Sequence, residues 1–91
     1  MFEYEWNEGK RSTNLEKHGI DFEDAVYVFA RNVLILSDIR SEYGEDRKIA
    51  VGYVDQGLLV VVFTDRGDTR RLISARRGGR RDHERYKAYF T

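Results

Sequence analysis

The chemistry this chain can do is written first in its arginines. The segment Arg70-Arg71-Leu72-Ile73-Ser74-Ala75-Arg76-Arg77 combines the two-residue period of a strand with four arginines. On a regular strand Arg70, Leu72, Ser74 and Arg76 share one face, and Arg71, Ile73 and Ala75 share the other. A guanidinium keeps its charge and offers a planar fork that binds phosphate bidentately, so a row of them on a sheet suits a phosphodiester. The competing use is an edge strand whose arginines guard against aggregation. Arg80, Arg81 and Arg85 extend the basic surface onto a following helix. Arg80 and Glu84 form an i,i+4 pair with a purely structural use. Arg81 and Arg85, also four apart, repel each other unless an anion or an acidic partner lies over them. Tyr86, Tyr89 and Phe90 anchor the same helix, although an exposed tyrosine can also stack on a base.

His18 and His83 are the only histidines. Either can take up or release a proton near neutral pH, but a lone histidine is as readily structural. They do not have metal-ligand spacing, and there is no cysteine, so neither a zinc site nor a disulfide is expected. No phosphate-binding glycine motif and no serine-centred elbow is present.

The formal net charge of zero hides a strong asymmetry. Residues 1–65 carry 7 Lys/Arg against 13 Asp/Glu, a net of −6, and residues 66–91 carry 9 against 3, a net of +6. Such a split suggests a localised anion-binding surface. It equally fits a solvated basic helix that pairs with the acidic half of the same chain. At 91 residues, 41% hydrophobic and 35% charged, the sequence fits one globular domain, residues 1–91, with a lean core. The start, Met1 to Trp6, lacks the basic and apolar regions of a signal peptide. The longest apolar run, Leu58 to Phe63, is far too short to span a bilayer. A soluble, cytoplasmic protein is the expectation, and the lack of cysteine agrees with a reducing compartment.

The elements that must position these residues read as follows. Phe2, Tyr4 and Trp6 alternate with Glu3 and Glu5 as a half-buried strand. Asn7 caps a helix that runs to about His18, with Gly19 closing it. Leu15 is its only large aliphatic residue, so this polar helix needs a partner or a functional face. Asp21 starts a second helix, with Asp24 in a capping-box-like position, and its Phe22, Ala25, Val26 and Phe29 form the clearest core-facing stripe. Strands follow at Val33–Leu36, at Ile49–Val54, at Leu58–Phe63 and at Thr69–Arg76. Ser41–Asp46 is a loop, Asp55-Gln56-Gly57 a hairpin connection and Asp65–Asp68 a turn. Gly78-Gly79 breaks the chain before a helix from about Arg80 to Phe90. The order β-α-α-β-β-β-β-α, with short turns between strands, predicts an α+β fold. In it an antiparallel meander has one face or end covered by two N-terminal helices and one C-terminal helix.

Almost end to end, the sequence resembles the BrnT family of bacterial toxins. Shared features begin with the aromatic opening Phe2–Trp6 followed by Asn7 and Lys10, then Asn14-Leu15, Lys17-His18-Gly19-Ile20, and Phe22, Glu23 and Ala25. They continue with Gly44-Glu45-Asp46-Arg47 leading into Ala50-Val51-Gly52, and with Phe63-Thr64 and Arg66-Gly67. Arg71-Leu72-Ile73-Ser74-Ala75-Arg76 and Glu84-Arg85-Tyr86 complete the pattern. Gly78-Gly79 departs from it, since alanine and a polar residue are expected there, and loosens the approach to the last helix. The resemblance implies a compact RelE-like fold and a metal-independent endoribonuclease without cofactor. It also implies inhibition of translation, neutralised by a BrnA-type antitoxin in a hetero-oligomer. That complex represses its own promoter through DNA contacts made by the antitoxin. For this chemistry Arg66, Arg71 and Arg76 are the candidates for phosphate and transition-state contacts. Arg47, Arg70, Arg80, Arg81 and Arg85 extend the RNA-binding surface. Lys17 and His18 end the polar helix and can face the same cleft. His18 or Glu45 is the candidate base, with Tyr86 as acid. A non-catalytic module that binds nucleic acid or protein through the same basic third is the alternative.

Overall fold

The computed structural model describes residues 2–38 and 46–91. Its elements are β1 (Glu3–Glu5), α1 (Glu8–His18), α2 (Phe22–Ala25) running into a 3₁₀ turn (Val26–Ala30), β2 (Val33–Ser37), β3 (Lys48–Val54), β4 (Gly57–Arg66), β5 (Thr69–Arg77) and α3 (Arg80–Tyr89). Gly44 and Glu45, with the rest of 39–45, lie outside the described residues.

Local signals account for most boundaries. Asn7 Oδ1 accepts the Lys10 N–H at 3.0 Å, which caps α1. Gly19 ends the helix in the left-handed region at φ 72°, with its N–H on the Leu15 carbonyl. Asp21 caps α2 by accepting the Glu23 N–H at 3.0 Å. Asp55 and Gln56 join β3 to β4, and Gly57 takes the positive φ that the tight connection needs.

The sheet runs β1-β5-β4-β3-β2. Strands β2 to β5 pair antiparallel with their neighbours in sequence, but β1 pairs parallel with β5, Glu3 to Glu5 lying beside Thr69 to Arg71. The expectation of a purely antiparallel sheet is therefore corrected to a mixed one. The chain leaves β1 through α1 and α2 and returns beside it only with its last strand, so short-range turn signals carry no trace of that pairing.

A second correction concerns the layers. The helices cover both faces, not one face or end. On the first face Ile20, Phe22, Ala25 and Val28 pack on Ala50, Leu59, Val61, Phe63, Leu72 and Ala75. On the second, Leu34, Val51, Leu58 and Val60 form a smaller cluster capped by Tyr86 of α3. The predicted stripe Phe22, Ala25, Val26, Phe29 also shifts. The tighter 3₁₀ turn has three residues per turn, so Phe22, Ala25 and Val28 are the buried series while Val26 and Phe29 lie at its border.

Helix α1 docks in an unusual way. Its one aliphatic side chain, Leu15, is 46% exposed, and its buried residue is Asn14, 5% exposed. Asn14 Nδ2 donates to the carbonyls of Ala75 (2.8 Å) and Ile20 (2.9 Å), and Oδ1 accepts the Ala75 N–H at 3.0 Å. Beyond Arg71 the edge of β5 has no strand partner from β1, and the Asn14 amide takes its place.

At the other end of β5, Gly78 is a close-packing position. A Cβ there would sit 2.9 Å from Leu58 Cδ2, and the Gly78 N–H already donates to the Leu58 carbonyl at 2.8 Å. Gly78 tightens the approach to α3; it does not loosen it.

These contacts predict two stability losses. Phe22→Ala empties the centre of the larger core and should cost about 3–5 kcal/mol. Asn14→Leu keeps the side-chain volume but strands three backbone groups, each worth about 1–3 kcal/mol when buried and unpaired. Urea denaturation of both variants is the check, and a loss below about 1 kcal/mol for Asn14→Leu would show that the amide is not what docks α1.

Candidate active site

A β-bulge decides where the arginines of β5 point. Val62 pairs with Ser74 and Phe63 with Leu72, so Ile73 is an extra residue in β5. The alternation therefore reverses at Ile73. Leu72 and Ala75 both enter the first-face core, as a regular strand forbids. Arg71, Ser74 and Arg76 lie opposite Thr64, Val62 and Val60, on the second face. The expected set Arg70, Leu72, Ser74 and Arg76 is thus split, with Arg70 and Leu72 on one side and Ser74 and Arg76 on the other.

Arg70 is correspondingly committed. Its side chain is 14% exposed, and its Nε donates to Asp65 Oδ1 at 3.1 Å. The guanidinium carbon lies 3.8 Å from the centre of the Phe2 ring, 4.5 Å from that of Phe29 and 5.1 Å from that of Phe63. Such stacking is favourable for a cation partly out of water, and it pins the first residues of the chain to β5.

On the second face, Arg71 Nη1 donates to Glu5. Arg76, with 49% of its side chain exposed, donates through Nη1 to Asp82 Oδ2 at 3.0 Å and to the Arg77 carbonyl at 3.2 Å. Asp82 also accepts the Gly79 N–H at 2.8 Å, which caps α3. Burial alone pushes the Asp82 carboxyl up; the bonds from Arg76 and the Gly79 N–H outweigh it and, with the Arg85 charge, hold the group below the usual carboxylate range.

Beside Ser74 a cleft of ≈ 490 Å³ opens between α1 and β5, lined by Asn7, Gly9, Lys10, Thr13, Asn14, Lys17, His18, Ile73 and Ser74. It gathers two predicted residues, Lys17 and His18, against the bulge of β5. Along the strand Arg76 lies two residues from Ser74, about 6–7 Å, so the cleft and the arginine pair adjoin. Sequence reasoning passed over Lys10, Thr13 and Asn14. The signal for them was the stripe Lys10, Thr13, Asn14, Lys17, His18, polar throughout at the spacing where a docked helix is usually apolar.

The other predicted residues are dispersed. Arg66 ends β4 and Arg47 precedes β3, with its carbonyl accepting the Asp38 N–H at 2.9 Å. Arg80 pairs with Glu84 at 3.4 Å, and Arg81 is exposed on the first turn of α3. Tyr86 donates its hydroxyl to the Asn32 carbonyl at 3.0 Å and packs against Tyr53 and Phe90, so it anchors α3. His83, far from His18 in sequence, meets the Tyr53 hydroxyl at 3.2 Å. A second hollow of ≈ 400 Å³, lined by Asp24, Tyr27, Arg31, Tyr53 and Asp55 among others, contains none of the predicted residues. Glu45 lies outside the described residues.

The family described as the ribonuclease toxin BrnT of type II toxin–antitoxin systems matches residues 6–82. The chain belongs to the BrnT family. A solved relative, the ribonuclease toxin BrnT of Brucella abortus, superposes with a TM-score of 0.64 at 26% identity, covering 88% of this chain and all of the relative. No protein with a curated description matches the sequence. Membership makes this a chain of a ribonuclease toxin family whose systems include an antitoxin. The BrnT match spans both walls of the cleft and ends at Asp82, so α1, β5 and the cap of α3 fall within it. Among the described residues no helix is long and apolar enough to cross a membrane.

Two carboxylates set a pH dependence of stability in this BrnT chain. Hydrogen bonds from Arg11 and from the Glu23 N–H hold Asp21 below its ordinary range, as Arg76 and Gly79 hold Asp82. A folded-state pKa below the unfolded one stabilises the fold above the unfolded value, about 3.9, and that contribution drains away as pH falls towards the folded value. Urea midpoints measured from pH 7 down to pH 3 should fall for the wild type. They should fall less steeply for Asp82→Asn and Asp21→Asn, each of which starts from a lower midpoint at pH 7. Parallel curves for all three proteins would contradict the assignment.

Proposed function

We propose that this chain is a metal-independent endoribonuclease toxin that cleaves RNA in the cytoplasm and so inhibits translation. The observation that carries the proposal is the juxtaposition of Arg71, Ser74 and Arg76 on one face of β5 with the cleft holding Lys17 and His18. Cleavage of this type needs a base to take the ribose 2′-hydroxyl proton, charge to stabilise the phosphorane formed when that oxygen attacks phosphorus, and an acid to protonate the departing 5′-oxygen. Arg71 and Arg76 serve the phosphorane. Both contacts of Arg76 use Nη1, which leaves the rest of its fork for phosphate oxygens. His18 exchanges the proton on the cleft side, and Lys17 adds charge beside it. Arg66, Arg80, Arg81 and Arg85 guide the strand from the rim, while Arg70 braces β1 against β5 from the covered face. Tyr86 acts through its hold on α3.

A BrnA-type antitoxin completes the proposal. It covers the basic face in a hetero-oligomer that reaches promoter DNA only through the antitoxin.

The decisive experiment incubates purified protein with RNA, with and without chelator. Cleavage that persists in chelator supports the proposal, and cleavage lost to chelator and restored by a divalent ion ends its metal-independent form. Arg76→Ala should lower the single-turnover rate about 100-fold, the scale of losing one oriented charge donor, and Arg76→Lys should recover only part of it. Asp82→Asn breaks the same ion pair but keeps the arginine, so it should retain most of the activity. Equal losses in Arg76→Ala and Asp82→Asn would assign Arg76 to holding α3 instead.

A further inference from the structure

The polarity of α1 has a consequence beyond the reaction centre. Lys10, Thr13, Asn14, Lys17 and His18 fall at i, i+3, i+4, i+7 and i+8, the face turned to β5. Only Asn14 spans to the strand, through the Ala75 backbone. The others stand off from it and leave the ≈ 490 Å³ cleft, walled on the far side by Ile73 and Ser74.

The charges on α1 divide by face. On the side away from the cleft Arg11 is fully engaged. Its Nε and Nη2 grip Asp21 at 2.8 and 3.0 Å, Nη1 reaches Glu8 at 3.3 Å, and Nη2 also approaches Glu23 at 3.5 Å. On the cleft side, among the described residues, neither Lys10 nor Lys17 has a carboxylate partner. They are seven residues apart, about 10 Å along the axis, with the Thr13 hydroxyl between them. Two unpaired ammonium groups and two hydroxyls around one open cleft form a donor set for phosphate oxygens. The cleft runs into Ser74, beside the arginine pair.

We propose that the α1–β5 cleft is a single-stranded RNA subsite. Lys10 and Lys17 bind phosphates flanking the scissile one, and the Thr13 and Ser74 hydroxyls donate to the same strand. The subsite deepens the ribonuclease reading and rests on it for the identity of the ligand. It fixes the direction of the RNA, which leaves the reaction centre between Arg71 and Arg76 and follows α1 towards its N-terminus. An acidic segment of a partner protein is the competing occupant; the continuity of the cleft with the arginine face favours RNA.

Binding separates this subsite from catalysis. A fluorescent 2′-O-methyl RNA oligonucleotide cannot be cleaved through its 2′-oxygen, and its affinity can be followed by anisotropy across a salt series. For single strands each phosphate contact contributes about 0.7 to the slope of log K against log salt. Lys10→Ala should lower the slope by that amount, and Lys10→Ala with Lys17→Ala by about twice as much. Thr13→Val should weaken binding several-fold with no change of slope. Lys87→Ala, on the last turn of α3, is the control and should leave the slope alone. A wild-type slope in a folded Lys10→Ala overturns the subsite, and so does an equal fall in Lys87→Ala, which would mean diffuse attraction. Loss of antitoxin binding in Lys10→Glu with RNA binding intact also overturns it and makes the cleft an acidic-peptide site. The expected slopes in a protein that cleaves no RNA would support the subsite while ending the ribonuclease reading.

Discussion

The Asn14 amide is the contact on which the arrangement of the site depends. A helix normally meets a sheet through an apolar stripe, and the two then close together without a gap. Here one amide satisfies the N–H and C=O of Ala75 and the carbonyl of Ile20, fixing α1 at the open edge of β5 without apolar side chains on either side of it. Because buried polar groups are costly when unpaired, the docking is specific in register as well as in place. It also keeps Lys10, Thr13, Lys17 and His18 from being buried. A helix held to the sheet by one polar residue can leave that residue's neighbours to line a cleft.

The bulge at Ile73 performs the complementary sorting within β5. On a regular strand Arg70 and Arg76 would point the same way: with Leu72 inside, the core would receive both cations and lose Ala75, and with Ala75 inside it would receive Arg71 and lose Leu72. The extra residue lets Leu72 and Ala75 both enter the core while Ser74 and Arg76 turn outwards. Of the two arginines this leaves on the first face, Arg70 is compensated by Asp65 and three aromatic rings, and Arg77, opposite Leu59, reaches the Gln56 carbonyl. One inserted residue thus turns Arg70 and Arg76, six residues apart, to opposite faces.

How legible this was follows from the range of each signal. The caps at Asn7 and Gly19, the Asp55-Gln56 hairpin and the bounds of α3 are set by residues adjacent in sequence, and they were readable to within a residue or so. Family membership was readable too, because it rests on the order of many short motifs. The parallel pairing of β1 with β5 links residues far apart in sequence, and no local pattern encodes it. The bulge was hidden because Arg70 to Arg76 obeys a two-residue period as written; only the pairing with β4 shows where that period breaks. The 3₁₀ turn displaced Val26 in favour of Val28 because both fit an apolar stripe and only the helical pitch distinguishes them. Lys17, His18, Arg71 and Arg76 could be nominated from type and position, whereas Lys10 and Thr13 show in the sequence only as part of an all-polar stripe whose place in a cleft the geometry supplies.

The linear charge split also changes meaning in three dimensions. A net of −6 against +6 along the sequence suggests an acidic half and a basic half. In the fold the basic segment is largely met by acids or carbonyls: Arg70 by Asp65, Arg71 by Glu5, Arg76 by Asp82, Arg77 by the Gln56 carbonyl, and Arg80 by Glu84. The exposed pairs among these are worth only about 0–1 kcal/mol each, enough to orient a guanidinium rather than to hold the fold. The guanidinium groups of Arg71 and Arg76 on the second face are therefore restrained by their own carboxylate partners. Cations without such restraint lie on α1, a helix in the acidic part of the sequence. Charge counted by segment points to β5 and α3, but Lys10 and Lys17 stand across the cleft from Ile73 and Ser74 with no carboxylate partner among the described residues, so a sum along the sequence does not locate them.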